Sequence, residues 1–175
     1  IYGKAKLLAS KYLINLYKKK NFPVTILRLY LAYGPKQDFN RFLPIIINGC
    51  LKNKKFPCSA GKQIRDFIHV NDLVNAVVQV TEHTAKNEIF NVASGVETSV
   101  NIIAEIIGGK KIKIPKRPGE PDRSLADITK IKKLIGWKPK ISINEGIKML
   151  LKDIDQWKDA PVWTPETIED ATRPW

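Results

Sequence analysis

An α/β layered fold with its strands in a parallel sheet is predicted by two features of this 175-residue chain. Residues 24–30 and 88–93 are short, β-branched and apolar, the composition of strands covered on both faces. Helix-period segments alternate with them, giving the order helix, strand, helix, helix, strand, helix as far as Gly109. That alternation is the signature of strands joined by helical crossovers.

Each element has its own local reason. Residues 3–20 place Leu7, Leu8, Tyr12, Leu13 and Leu16 at helical spacing and stop short of Pro23, so an amphipathic helix is expected. The strand at 24–30 is broken by Tyr33, Gly34 and Pro35. Asn40 is a candidate cap for a helix over 41–51, with Pro44 tolerated in its first turn. Residues 56–67 are irregular and rich in turn formers. Asn71 then reads as the cap of a helix over 72–83, carrying Leu73, Ala76, Val77 and Val80. Ser94 and Gly95 close the strand at 88–93, and Ser99 caps a helix ended by Gly108 and Gly109. Beyond it come a Lys/Ile-alternating strand at 110–114, a Pro/Gly loop over 115–123 and a small helix after Asp127 that stops at Gly136. Ser142 and Glu145 form a capping box for a helix running to about Trp157, and Thr164, Pro165 and Glu166 start a last short one. Two central strands make a poor sheet, so partners are expected from residues ahead of Ile1, from another chain or from a rearrangement.

Composition narrows the function classes. Apolar residues make up 43% of the chain, which suits a globular domain. No run of about eighteen apolar residues exists. Two cysteines without metal-type spacing, Cys50 and Cys58, suit a reducing, cytoplasmic setting, and no metal site is expected. The formal charge of +13 comes from lysines spread over several clusters rather than a basic-aromatic stripe. It reads as a solvated lysine-rich surface, or as a field that attracts an anionic small ligand such as a nucleotide diphosphate. Neither nucleic acid nor a membrane is an expected partner.

Tyr2 and Lys6 stand four apart at the start of the first helix, on one face. An ammonium there favours the ionised phenol, and a tyrosine so tuned can exchange a proton with a substrate hydroxyl. Alone, the spacing arises by chance in many lysine-rich helices. Four further segments accompany it in order: Leu27-Arg28 with Tyr33-Gly34-Pro35; Gly61 with Arg65-Asp66-Phe67, Val70 and Asp72; Phe90-Asn91 with Gly95; and Arg117-Pro118-Gly119-Glu120 followed by Asp127 and Gly136-Trp137. Together they resemble the NAD-dependent epimerase/dehydratase family, extended short-chain dehydrogenases that act on nucleotide sugars. The resemblance covers essentially the whole chain.

The resemblance implies the C-terminal part of a Rossmann-like doubly wound domain plus a small mixed α/β substrate-binding lobe. Residues 1–35 and 68–97 would be the Rossmann-like remnant, and 36–67 with 98–175 the lobe. It implies Tyr2 as the acid/base, Lys6 beside it on the nicotinamide ribose, and Tyr30 as a further cofactor contact. Arg65 and Arg117 would grip the diphosphate, since a guanidinium fork can donate two parallel bonds to phosphate oxygens. Glu120 would accept from the nucleotide ribose, while Asn40, Arg41 and Phe42 would line the base. Each has a plain structural alternative: surface ion pairs for the arginines, a solvated loop carboxylate for Glu120, capping and packing for 40–42. Asp66 is expected to be structural, and His69 a satisfied structural histidine.

Two departures stand out. Leu31 occupies a position where many members carry Asn, a variant nearer the CDP- or dTDP-deoxysugar branch. The glycine-rich dinucleotide loop is nowhere in the chain. The expectation is therefore a fragment whose parent uses NAD or NADP but which binds none itself, and which is inactive alone. Its expected partners are a nucleotide-diphosphate sugar and a second copy joined through the first helix. A 4-keto-deoxysugar reductase is an alternative chemistry, and a non-catalytic assembly or regulatory module is an alternative of another class.

Overall fold

The computed structural model describes residues 1–83, 87–116, 119–165 and 167. Its centre is the parallel pair β1 (Thr25–Leu29) and β6 (Glu88–Val92), with Thr25 opposite Glu88 and Leu29 opposite Val92. These are the two runs that sequence singles out as sheet strands. After Tyr30 the chain enters β2 (Leu31–Tyr33), which pairs in parallel with β5 (Phe67–His69). The α/β class and its parallel strands are as expected.

Helix α1 (Tyr2–Lys20) forms as predicted and ends at Asn21, which adopts the left-handed conformation (φ 51°) and donates its N–H to Tyr17. It buries none of its residues, and Leu7, Leu8 and Tyr12 are 50%, 65% and 67% exposed. The expectation that β1 is covered on both faces also fails at its end, where Arg28 and Leu29 are exposed. The cause is shared: β1 has one hydrogen-bonded neighbour among the described residues, and α1 buries nothing against it.

Helix α2 (Phe42–Leu51) is capped by Arg41 in extended conformation, not by Asn40. The Asn40 backbone and side-chain amides both donate to Asp38 Oδ1, at 2.8 and 3.2 Å, which takes that side chain away from the helix end. Helix α3 (Val70–Glu82) is likewise capped by His69 rather than Asn71: His69 Nδ1 accepts the Asn71 N–H at 3.3 Å. His69 closes β5 in extended conformation, so it holds the position where the cap must stand.

The stretch at 56–67, expected to be irregular, contains β3 (Phe56–Cys58) and β4 (Ile64–Arg65). They pair with β8 (Lys111–Lys113) in parallel and with β7 (Thr98–Ser99) antiparallel. Strands of two or three residues are too short to show a period of two. Helix α4 (Val100–Ile107) keeps its Ser99 cap and left-handed Gly108 end, and α5 (Thr129–Ile135) ends at Gly136. Helix α6 (Ile143–Lys152) opens on the expected capping box but breaks at Asp153, before a short 3₁₀ turn (Ile154–Trp157). That break brings Trp157 into full burial, its Nε1 donating to Leu150 O at 3.4 Å. The expected start of a last helix reaches Glu166, which lies outside the described residues.

Two apolar clusters hold these pieces. One joins α2, α4 and α6 with β3 through Leu43, Ile46, Ile47, Ile103, Ile147 and Trp157. The other sits against β6 and joins Phe90 and Val92 to Ala76 and Val80 of α3, and to Ile131 and Trp137 from the α5 region.

Candidate functional site

A cavity of about 660 Å³ opens between the end of β1 and the α2 cluster. Tyr2, Tyr30 and Leu31 line one part of it, Arg41 and Phe42 the start of α2, and Arg65 and Glu120 another wall. These residues come from well-separated stretches of chain and meet because β2 follows β1 directly and pairs with β5, whose preceding residues carry Arg65.

Arg65 is held on three sides. Its Nη1 donates to Ile64 O at 2.8 Å and Pro121 O at 2.9 Å, and its Nη2 to Glu120 Oε1 at 3.1 Å. The two side chains keep only 15% and 9% of their surface exposed. Arg65 and Glu120 therefore act as one unit, an ion pair whose remaining guanidinium N–H groups, on Nε and Nη2, can serve an anionic ligand. The sequence named both residues but not their partnership.

Lys6 does not line the cavity. Its ammonium lies 5.4 Å from the centre of the Tyr2 ring, a cation–π arrangement at the helix surface. Asn40 also stands apart, in a second hollow of about 510 Å³ with Gln156 and Trp157. Arg117 lies outside the described residues. The structure adds wall residues that the sequence did not name as site residues: Tyr33, Gln37, Cys58, Gln63, Phe67 and Trp163. Only Tyr33 and Phe67 carried a signal, as members of motifs named for other residues.

Three buried polar side chains, Asp66, His69 and Asp72, lie outside the cavity lining. Asp66, 1% exposed, accepts from the Ser94 N–H (2.8 Å) and hydroxyl (2.6 Å) through Oδ1, and from Gly95 N–H (3.0 Å) and Ala126 N–H (3.2 Å) through Oδ2. It is the structural residue expected. Asp72 Oδ2 accepts the N–H groups of Lys140 and Ile141 at 3.0 and 2.8 Å, tying α3 to the approach of α6. Burial, with Asp72 and Glu145 adding, pushes the Tyr33 phenol far above its ordinary pKa, so it stays protonated, 3.5 Å from Ser142 O.

His69 is 1% exposed and meets Tyr33 edge to face at 5.3 Å. Its Nδ1 accepts the cap bond, so Nε2 carries the proton of the neutral ring, and Nε2 has no partner among the described residues. The expectation of a fully satisfied histidine thus holds for one nitrogen only. Burial lowers its pKa, against a smaller opposing pull from Asp72. The unfolded chain then binds more protons than the folded one below about pH 6.5, so stability falls as pH drops through that value toward the depressed folded pKa. The slope from this one group is at most about 1.4 kcal/mol per pH unit. Thermal melts between pH 7.5 and 5.5 should show the fall, and His69→Asn, which keeps a capping acceptor, should flatten it; an unchanged slope in the variant would assign the fall to other groups.

The family model described as GDP-mannose 4,6 dehydratase matches residues 1–150. A Methanocaldococcus jannaschii protein assigned to UDP-glucose 4-epimerase is 37% identical over 161 residues, covering 86% of this chain and 52% of that protein. CDP-abequose synthase of Salmonella typhimurium is 34% identical over 143 residues, 72% of this chain and 46% of the relative. Among solved structures, UDP-glucose 4-epimerase of Thermotoga maritima, with UDP-glucose, superposes with a TM-score of 0.81 at 31% identity, over 89% of this chain and 53% of that one. The chain thus spans about half the length of the relatives it matches. With a family match over 150 residues and a cavity that gathers motif residues from Tyr2 to Glu120, this chain belongs to the NAD-dependent epimerase/dehydratase family of extended short-chain dehydrogenases.

Proposed function

We propose that the chain is the substrate-binding lobe and proton-transfer helix of an NAD(P)-dependent nucleotide-sugar epimerase or dehydratase, and that its cavity holds a nucleotide-diphosphate sugar. One observation carries this reading: Tyr2 and the Arg65–Glu120 pair line the same cavity. A nucleotide sugar needs that spread of chemistry, with a proton exchanger for the sugar and cationic donors for the diphosphate. In this reading Arg65 and Arg117 hold the phosphates, Glu120 accepts from the ribose, and Arg41 and Phe42 meet the base, with Asn40 in the adjoining hollow. Residues 1–35 and 68–97 form the cofactor-side body, and 36–67 with 98–175 the lobe.

Tyr2 passes a proton to or from the sugar oxygen, and Lys6 holds the ammonium charge beside the phenol. The nicotinamide cofactor, when bound, supplies hydride exchange at the sugar carbon. The Tyr2 hydroxyl, the neighbouring Lys6 ammonium and the cavity-facing Tyr30 fit the nicotinamide ribose, whose hydroxyls need donors and acceptors of this kind. The rest of the dinucleotide requires a glycine turn at a helix start, which this sequence does not contain. The free thiols Cys50 and Cys58 suit a cytoplasmic setting.

Isothermal titration of the chain tests the reading. UDP-, CDP- or dTDP-sugars should bind with a Kd of the order of 0.1–1 mM, and NAD(H) should give no heat. Tight NAD binding, or no nucleotide-sugar binding at all, would overturn it. A second reading, an assembly module, draws on the exposed Leu7, Leu8 and Tyr12 of α1, a face that a second copy would cover. Gel filtration of a Leu8→Glu variant, monomeric where the parent is dimeric, would support it.

A further inference from the structure

We infer that the outer end of the β3/β8 pair is a docking surface for an anionic lipid bilayer. Strands β3 and β8 are parallel, so both start at one end, Phe56 opposite Lys111, with the Phe56 N–H bonded to Lys110 O at 3.0 Å. The two segments entering that end carry Lys52, Lys54, Lys55 and Lys110, and β8 itself adds Lys111 and, two residues along, Lys113. All six are exposed and none belongs to an ion pair among the described residues, although Lys111 Nζ donates to Asn101 Oδ1 at 2.6 Å. Neither 50–58 nor 106–116 contains an acidic residue; Glu105 on α4 is the nearest along the chain.

Local structure accounts for part of this charge. Lys52 follows the C-terminus of α2, where a cation meets the negative end of the helix dipole. Lysines on β8, an exposed edge strand, deter strand addition. Those two roles leave the concentration of six cations in one place unexplained.

The chemistry around the lysines selects the partner. Leu51 and Ile112 are 41% and 38% exposed within the patch. The one aromatic residue in the two segments, Phe56, is buried, so the patch has no platform on which a base could stack. Cations interleaved with aliphatic side chains match the headgroup region of an anionic bilayer, where lysine meets phosphate and leucine enters the acyl boundary. Surface adsorption needs no spanning segment; no helix among the described residues is long and apolar enough to cross a membrane.

Sedimentation of the chain with vesicles tests the inference, using phosphatidylcholine alone and phosphatidylcholine with about one third phosphatidylglycerol, at about 0.1 M and about 0.5 M salt, which span weak and strong screening. Binding should require the anionic lipid and fall with salt. A Lys52→Glu, Lys55→Glu, Lys110→Glu variant should bind at least about a hundredfold more weakly, at about fivefold per lysine lost. A control of equal charge change, Lys18→Glu, Lys19→Glu, Lys20→Glu at the end of α1, should bind as the parent does. Thermal melts check that both variants remain folded. Absent binding to the anionic vesicles, equal loss in the control, or tighter binding to duplex DNA than to vesicles would each overturn the assignment.

Discussion

Asp66→Ala should destabilise the chain by about 3–5 kcal/mol, the largest single effect expected of any polar residue here. Asp66 stands between β4 and β5, and its two carboxylate oxygens collect four donors from two distant loops. Three of those donors are backbone N–H groups, of Ser94, Gly95 and Ala126, which lose this acceptor when the carboxylate goes. An unmet buried donor costs about 1–3 kcal/mol, and the loss is partly recovered by water entering beside exposed Gly95. Asp66→Asn is the sharper comparison. It keeps one carbonyl but turns the other atom into a donor facing a donor, so it should recover less than half of the loss. Urea melts monitored by tryptophan fluorescence give both values. A cost near 1 kcal/mol for the alanine variant would show that the loop donors find other partners.

The reach of sequence reasoning follows from what each signal measures. The β1 and β6 runs were legible because parallel strands need continuous apolar, β-branched stretches, and both have them. The capping box at Ser142 and the glycine stops at Gly108 and Gly136 were legible because each rests on contacts within a few residues. The caps at Asn40 and Asn71 were misread for a reason that local sequence does not hold. In one case Asp38 competes for the asparagine; in the other β5 delivers His69 to the cap position first. The exposure of α1 and of the end of β1 could not be read either, since periodicity reports a capacity to bury a face and says nothing of what arrives to cover it. At the site, Tyr2, Tyr30, Arg41, Phe42, Arg65 and Glu120 were found by motif and meet in one cavity. Cys58, Gln63 and Trp163 were not found, because ordinary residues become wall residues only through the pairing of β3 with β8 and the path of the chain after α6.

Arg65→Ala should lower nucleotide-sugar affinity by about 10- to 100-fold, the range set by losing one charge-assisted bond of about 1.5–3 kcal/mol. Arg65→Lys should be nearly as damaging. A lysine ammonium has no planar fork, so it cannot meet Ile64 O, Pro121 O and Glu120 at once and still present N–H groups to a phosphate. Glu120→Gln separates the charge from the geometry: the amide oxygen still accepts from Nη2 while the countercharge is gone. If Arg65 serves the diphosphate and Glu120 the ribose, that variant frees the guanidinium charge while weakening the ribose acceptor, so it should cost less affinity than Arg65→Ala. If the pair is only a brace between β4 and the 119–123 loop, all three variants should lower the melting temperature together and bind the nucleotide sugar as the parent does whenever they are folded. Titration below the melting transition, with the melts recorded alongside, distinguishes a ligand-binding arginine from a structural one.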